Sequence, residues 1–370
     1  MRILVAPDKF KGSLGAAAVG ANIAAGLRMA IPSAEITLLP MADGGEGTAE
    51  VISRARDGEW HTCEVHDPIG RVVCARYCTV ANGATAVMET SEASGLWRVP
   101  PEDRCADRAS SFGTGEMLRD AAKRGAEEII VGLGGSATND GGAGMARALG
   151  FRFLDEYGVA VGSKVSDLAK LARIVAPAQL RVPRIVAAAD VRNPLLGRRG
   201  ATCVFGMQKG VASEHTERFE RAVEQLANIV AADLACDFRD HPGAGAAGGL
   251  GFGLLSFCSA RIESGFDVVA RAVDLEARMR AADVIITGEG RLDAQTLEGK
   301  VPAGVARLAR RIGKKCYAIV GQLEESAEVR ELFERIYVLA ANDHGIENSA
   351  ELLQNAARAL ASNLQLDRRA

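Results

Sequence analysis

The run Val131-Gly-Leu-Gly-Gly-Ser-Ala-Thr-Asn-Asp-Gly-Gly-Ala-Gly144, entered from the apolar stretch Glu128-Ile-Ile-Val131, restricts this chain more than any other segment. Six glycines in fourteen positions make a poor helix or strand, because glycine loses more conformational freedom on ordering than any other residue. Glycine also reaches positive φ and lets other atoms approach the backbone, so successive N–H groups can converge on an anion. A strand that ends in such a loop, with a helix from about 142 to 149 after it, is a strand-to-helix junction of an α/β fold. Two further segments share this chemistry: Met41-Ala-Asp43-Gly-Gly-Glu46-Gly-Thr48 and Ala282-Asp283-Val-Ile-Ile-Thr287-Gly-Glu289-Gly-Arg291-Leu-Asp293. Each follows an apolar run and mixes glycines with acids. Three such loops point to a site for a phosphorylated ligand, with carboxylates available for a metal ion.

The surrounding sequence alternates strand and helix signals. Arg2–Ala6 reads as a strand, Pro7–Gly12 as a turn, Ser13 as an N-cap, and Leu14–Ala30 as a helix closed by Pro32. Ala34–Leu39 is a second strand, leading through the Asp43 loop into a helix from about Thr48 to Arg56. The same grammar returns in Val284–Thr287, Lys315–Val320 and Arg335–Ala340, with helices near 301–312, 325–334 and 349–363. Five strands alternating with helices fit one open, mostly parallel sheet of Rossmann or flavodoxin type. The middle of the chain differs. Residues 60–90 alternate apolar and polar around the turns Asp67-Pro-Ile-Gly70 and Asn82-Gly83, which reads as antiparallel hairpins. A helix near 113–124, strands at Arg184–Ala189 and Thr202–Phe205, and a helix from Ser213 to Ala232 complete it. The expected organisation is a discontinuous α/β domain, 1–58 plus 272–370, interrupted by a second α/β domain, 59–271.

At 370 residues the chain is longer than one hydrophobic core usually serves, in keeping with two domains. Its formal charge of −3, with both signs interspersed, carries no nucleic-acid footprint. The eight cysteines (63, 74, 78, 105, 203, 236, 258 and 316) show no CxxC and read as buried free thiols of a reducing compartment. No stretch approaches the ~18 consecutive apolar residues of a membrane span, and the first apolar run is too short for a signal peptide. No membrane partner and a cytoplasmic location are the expectations; nothing in the sequence opposes a homo-oligomer.

The P-loop pattern G-x-x-x-x-G-K-[ST] is absent. A lookalike of the dinucleotide fingerprint does occur: Gly132-x-Gly134-x-x-Ala137 follows a strand, with Asp155 about twenty residues on, as a nicotinamide-dependent dehydrogenase would have. Against it, Asn139-Asp140-Gly141-Gly142 stands where the helix should begin, and the Asp140 carboxylate would oppose a pyrophosphate there. In Asp43-Gly44-Gly45-Glu46 two acids lie three residues apart at a strand-to-helix junction, for a ligand or for helix capping. Lys9 and Lys11, just after the first strand, suit a substrate carboxylate or a phosphoryl group. Asp190, in Asp190-Val-Arg-Asn193-Pro, suits a proton acceptor or an Mg²⁺ ligand with Asn193, or belongs to an ordinary Asn-Pro turn. Gly206-Met-Gln208-Lys209-Gly210 adds a cation and an amide. The glycine cluster from 243 to 253 reads either as a hinge or as a flat floor for an adenine ring.

Seven ordered blocks resemble the bacterial glycerate kinase family (glycerate 2-kinases): Ala6–Leu14, Pro40–Thr48, Gly132–Gly142, Asp190–Leu195, Val204–Gly210, Pro242–Gly251 and Thr287–Thr296. Two positions depart from the family pattern: Lys9 stands where serine is frequent, and Met207 where proline is usual. The resemblance implies two α/β domains, one inserted in the other, and ATP- and Mg²⁺-dependent phosphorylation of D-glycerate to 2- or 3-phosphoglycerate. On that basis Gly134, Gly135 and Ser136 would cradle phosphates, with Thr138, Asn139, Asp43, Gly44 and Gly45 as further nucleotide contacts. Asp190 and Asp293 would serve as base or Mg²⁺ ligands, and Lys9, Lys11 and Arg291 would neutralise the glycerate carboxylate and the moving phosphoryl group.

Overall fold

The computed structural model describes residues 1–293, 296, 297, 299–324, 326–339 and 349–367. Ala294 and Gln295 of the last motif, Glu325 at the start of an expected helix and Ala340 at the end of an expected strand lie outside the described residues. In chain order the described strands are β1 (Arg2–Val5), β2 (Glu35–Leu38), β3 (Glu59–His66), β4 (Val72–Val80), β5 (Thr85–Glu89), β6 (Glu128–Gly132) and β7 (Arg152–Leu154). They continue as β8 (Arg173–Val175), β9 (Arg184–Ala188), β10 (Arg261–Glu263), β11 (Val284–Leu292), β12 (Lys315–Leu323) and β13 (Arg335–Val338). Two compact units divide them: Met1–Asp43 with Phe266–Ala370, and Gly44–Gly265.

The first unit is built on an all-parallel sheet of order β13-β12-β11-β1-β2. Its interior strand β1 buries Ile3, Leu4 and Val5 completely, as a strand covered on both faces must. One layer over the sheet is made by the helices Ala16–Ala30 and Ser349–Asp367, which share a core with Ile3, Val5, Ile286 and Ile319 through Ile23, Leu27, Ala357 and Leu360. Gly26 makes their approach possible: a Cβ there would stand 2.2 Å from the Gln354 carbonyl oxygen. Ser13 does not cap the first helix. The N-cap is Gly15, because Leu14 N–H turns back to Phe10 O, and Ser13 Oγ instead donates to Ser349 Oγ at 2.9 Å. The chain leaves β1 toward β2 on one side, and β11 leads to β12 and β13 on the other. The strand order therefore reverses between β1 and β11, where open sheets hold ligands at the strands' carboxyl ends.

The second unit carries a mixed sheet of order β10-β9-β6-β5-β4-β3, parallel from β10 to β5 and antiparallel through the expected hairpins β5-β4-β3. Tyr77, Met88, Ile129, Val131, Ile185, Leu226 and Phe252 form its core. The helix Thr48–Ala55, expected with the first domain, packs on β4 and β5 and belongs here, so the division falls after residues 43 and 265 rather than 58 and 271.

Thr202–Phe205 is not a strand but part of the helix Ala201–Phe205. An apolar run this short has no periodicity to separate the two states, and tertiary packing decided. Helix formation turns Cys203 to solvent, and Cys74 is exposed as well; Cys78, Cys258 and Cys316 are buried, and all eight cysteines are free. The 243–253 cluster is neither hinge nor open floor. It enters the helix Ala246–Cys258 through left-handed Ala247, Gly248 and Gly249, pressed on the 138–142 backbone, where a Cβ on Gly248 would lie 1.8 Å from Thr138 O. No described helix is long and apolar enough to cross a membrane.

Candidate functional site

In the first unit the site grows from the ends of the two strands that flank the order reversal. Asp8 follows β1, and its N–H donates to Gly288 O of β11 at 2.8 Å, which brings the Asp8 and Glu289 carboxyls to the same edge. Both are 6% exposed. Burial, and then the field of Asp43, push the Asp8 carboxyl up to about 8 despite the Lys9 N–H that donates to its Oδ1. Burial pushes Glu289 up to about 7, against the hydrogen bond that Thr296 Oγ1 donates to its Oε1 at 2.6 Å. Asp293 completes the cluster: its Oδ1 accepts from Thr296 N–H at 3.3 Å and lies 3.9 Å from Lys300 Nζ. Arg291 bridges Asp293 at 3.5 Å and Glu324 at 2.9 Å on the exposed side. Lys9 is half-buried beside Asp8, and Lys11 is exposed.

In the second unit the loop after β6 interlocks with the turn that follows Asp43. A Cβ on Gly132 would meet Gly44 O at 2.6 Å, one on Gly134 would meet Gly45 Cα at 2.6 Å, and one on Gly44 would meet Ala188 O at 2.9 Å. Glycine is required on both sides of this contact because backbone lies against backbone. The next helix, Thr48–Ala55, is capped by neither Asp43 nor Glu46. Glu89, at the end of β5, accepts from Gly47 N–H at 3.0 Å and Ala49 N–H at 2.9 Å. Further along the loop, Gly135 takes φ +66° and its carbonyl accepts from Leu96 N–H. The N–H groups of Gly134, Gly135 and Ser136 meet no acceptor among the described residues. Three successive unengaged donors around a left-handed glycine have the geometry that suits an anion.

The same loop excludes a pyrophosphate from the helix that follows. The buried Asp140 carboxylate accepts from Ser111 N–H and Oγ at 2.9 Å, Gly144 N–H at 3.0 Å and Gly142 N–H at 3.1 Å, filling the N-terminus of the helix Ala143–Ala148. Asp155, the acid of the dinucleotide lookalike, holds a turn by accepting from Tyr157 and Val159 N–H. Thr138 and Asn139 are fully buried and bind protein: Thr138 O accepts from Lys209 Nζ at 2.8 Å, and Asn139 Nδ2 donates to Thr202 Oγ1 at 3.0 Å. Asp190, just beyond β9, accepts from Gly265 N–H at 2.9 Å, and Asn193 Nδ2 donates to Arg199 O.

A family model described as the glycerate kinase family matches residues 3–365. The chain belongs to the glycerate kinase family. A glycerate kinase of Bacillus subtilis is 40% identical over 99% of this chain and 98% of its own, and one of Halalkalibacterium halodurans is 41% identical over 97% of both. The glycerate 2-kinase of Escherichia coli is 37% identical over the full length. A crystal structure of a putative glycerate kinase 2 from Salmonella typhimurium superposes with a TM-score of 0.89 at 40% identity, covering all of both chains.

Within this glycerate kinase fold, Asp190 and Asp293 stand in different units, as do the lysines after β1 and the glycine loop after β6. The dehydrogenase alternative finds no support in these relatives, and Asp140 and Asp155 already engage the groups it requires. In the sequence Asp8 and Glu289 stand within motifs with nothing to distinguish them as site residues. Their signal was position, directly after an apolar strand; their burial beside one another is a property of the packed sheet alone.

Proposed function

We propose that this glycerate kinase family member transfers the γ-phosphoryl group of ATP to D-glycerate, releasing ADP and a phosphoglycerate. The observation that carries the reading is the set of unengaged N–H groups at Gly134, Gly135 and Ser136, placed beyond a parallel strand where a phosphate can be held. Phosphoryl transfer needs positioning and charge neutralisation more than covalent chemistry. In this reading the glycine loop holds nucleotide phosphates, and Gly44 and Gly45 shape it by packing on Ala188 and Gly134. Lys9 and Lys11 receive the glycerate carboxylate, with Arg291 as a third cation of the same edge.

The residues fit Mg²⁺ as a nucleotide-borne ion. Mg²⁺ keeps several waters and takes one or two carboxylates together with phosphates rather than a full protein cage. Among the described residues no three His, Cys, Asp or Glu side chains form a metal-holding group, and single carboxylates at Asp190 and Asp293 suit that mode. When bound, the ion neutralises phosphate charge. Asp8 and Glu289, poised near neutrality by burial, are suited to accept the proton of the attacking hydroxyl.

ADP release from ATP and D-glycerate, measured with and without Mg²⁺, tests the reading, and phosphorus NMR of the product separates 2- from 3-phosphoglycerate. Mg²⁺-dependent ADP formation with a new phosphoglycerate signal is expected. Nucleotide binding without turnover on glycerate would sink the acceptor assignment. Asp190→Asn should lower turnover by ~10²–10⁴-fold if its carboxylate takes part in the transfer, and unchanged turnover removes it.

A further inference from the structure

Lys209 is an unusual residue to find in a protein interior. The short turn Met207–Lys209 directs its side chain inward to 3% exposure, where Nζ donates to Ser136 Oγ at 2.9 Å and to Thr138 O at 2.8 Å. A buried ammonium is costly unless paired, and Lys209 forms no ion pair among the described residues. Among the described residues, Asp140 is the charged group whose field reaches it, with Arg104 and Glu220 on neighbouring segments. Asp140 is engaged by Ser111, Gly142 and Gly144; Arg104 Nη1 reaches Gln208 O; Glu220 accepts from Gly197 N–H. Asp140 acts on the ammonium through its field and favours the charged form against burial. Burial wins, and the Lys209 pKa falls to about 7.

The two acceptors of Lys209 belong to the loop whose amides are unengaged. Ser136 Oγ accepts from Nζ, so its own O–H is left to point elsewhere, next to the N–H groups of Gly134, Gly135 and Ser136. An unpaired cation one hydroxyl away from three unengaged donors lacks only an anion. We propose that Lys209 is a positioning residue for the nucleotide phosphates, fixing the Ser136–Thr138 backbone and polarising the Ser136 hydroxyl toward a bound phosphate. An anion at the loop favours the ammonium form, so ligand binding draws a proton onto Lys209. This inference rests on the reading that the glycine loop holds phosphate, and it holds whichever acceptor is phosphorylated.

Calorimetric titration of Mg·ADP at pH 8, in buffers of different ionisation enthalpy, measures the protons taken up on binding; inorganic pyrophosphate serves as a second probe. Wild-type protein should take up close to one proton per site with either probe. Lys209→Met should abolish the uptake, raise the Kd for Mg·ADP and the KM for ATP by about 10- to 100-fold, and leave the KM for glycerate unchanged. At pH 6, where the lysine is charged, it should also raise the thermal midpoint, because an uncompensated buried charge is removed; a purely structural lysine would lower both midpoint and affinity. Lys209→Arg should recover part of the affinity without the proton uptake. Unchanged proton uptake and KM in Lys209→Met would overturn the proposal, as would failure of the wild type to bind either probe. Nucleotide binding with proton uptake but no glycerate phosphorylation upholds it while refuting the proposed acceptor.

Discussion

At the edge of the first unit's sheet, Asp8 and Glu289 are buried beside one another and resist losing their protons. Beneath the glycine loop of the second unit, Lys209 forms no ion pair among the described residues and resists keeping its own. Both clusters hold charge back by the same desolvation, with opposite sign. The carboxyl edge would be relieved by a cation, the lysine loop by an anion. In the proposed reading the difference also separates roles: the first unit's carboxyls would move a proton, and the second unit's donors would grip phosphate.

The comparison breaks most visibly in turnover. Glu289→Gln and Asp8→Asn should each lower kcat by ~10²–10⁴-fold with an unchanged Kd for Mg·ADP, the reverse of Lys209→Met. Steady-state kinetics beside calorimetric binding reads this directly, and a change confined to Kd in the carboxyl variants would erase the division of roles. Next in size, Gly134→Ala forces a Cβ to within 2.6 Å of Gly45 Cα. It should cost about 1–3 kcal/mol in chemical denaturation and weaken nucleotide binding; normal stability would show that the two backbones separate easily.

A smaller effect sharpens the electrostatic contrast. Asp8 and Glu289 have folded pKa values raised above those of the unfolded chain, so the folded state binds more protons and the stability they contribute is lost as pH rises toward 8. Lys209 has a lowered folded pKa, so the folded state binds fewer protons, and stability rises between about 7 and the ~10.4 of a free lysine. Thermal midpoints from pH 5 to 9 should lose the downward slope in Asp8→Asn and the upward slope in Lys209→Met. Mg²⁺ should raise the wild-type midpoint more at pH 8 than at pH 6. A pH profile indifferent to both substitutions is incompatible with this account. Least of all, Asp155→Ala should change stability by about 1 kcal/mol or less, since it removes only two turn hydrogen bonds, and leave kinase turnover intact.

Much of the architecture was legible along the chain. The five strands of the parallel sheet and the hairpins between 60 and 90 were marked by apolar runs and turn residues, because local periodicity and turn chemistry act over a few residues. The helix at Ala201–Phe205 was not, since a five-residue apolar run suits either state. The glycine cluster from 243 to 253 could be recognised as special but not interpreted: what several of its glycines avoid, such as Thr138 O beside Gly248, comes from more than a hundred residues away. Among the candidate residues of the two units, the glycine loop, Asp190, Asp293 and the lysines after β1 were readable as chemistry. The buried partners Asp8, Glu289 and Lys209 were visible only as members of motifs.

Residue types and their order were enough to determine an α/β chain with a parallel sheet, a phosphate-suited glycine loop and membership of the glycerate kinase family. Tertiary structure alone decided which charges are buried and what they face. It set Asp8 against Glu289 through the pairing of β1 with β11, filled the helix after the glycine loop with Asp140, and enclosed Lys209 under Ser136. Backbone conformation follows from near neighbours, whereas the free energy of a charge depends on every atom that displaces water from it, and those atoms are assembled only by the fold.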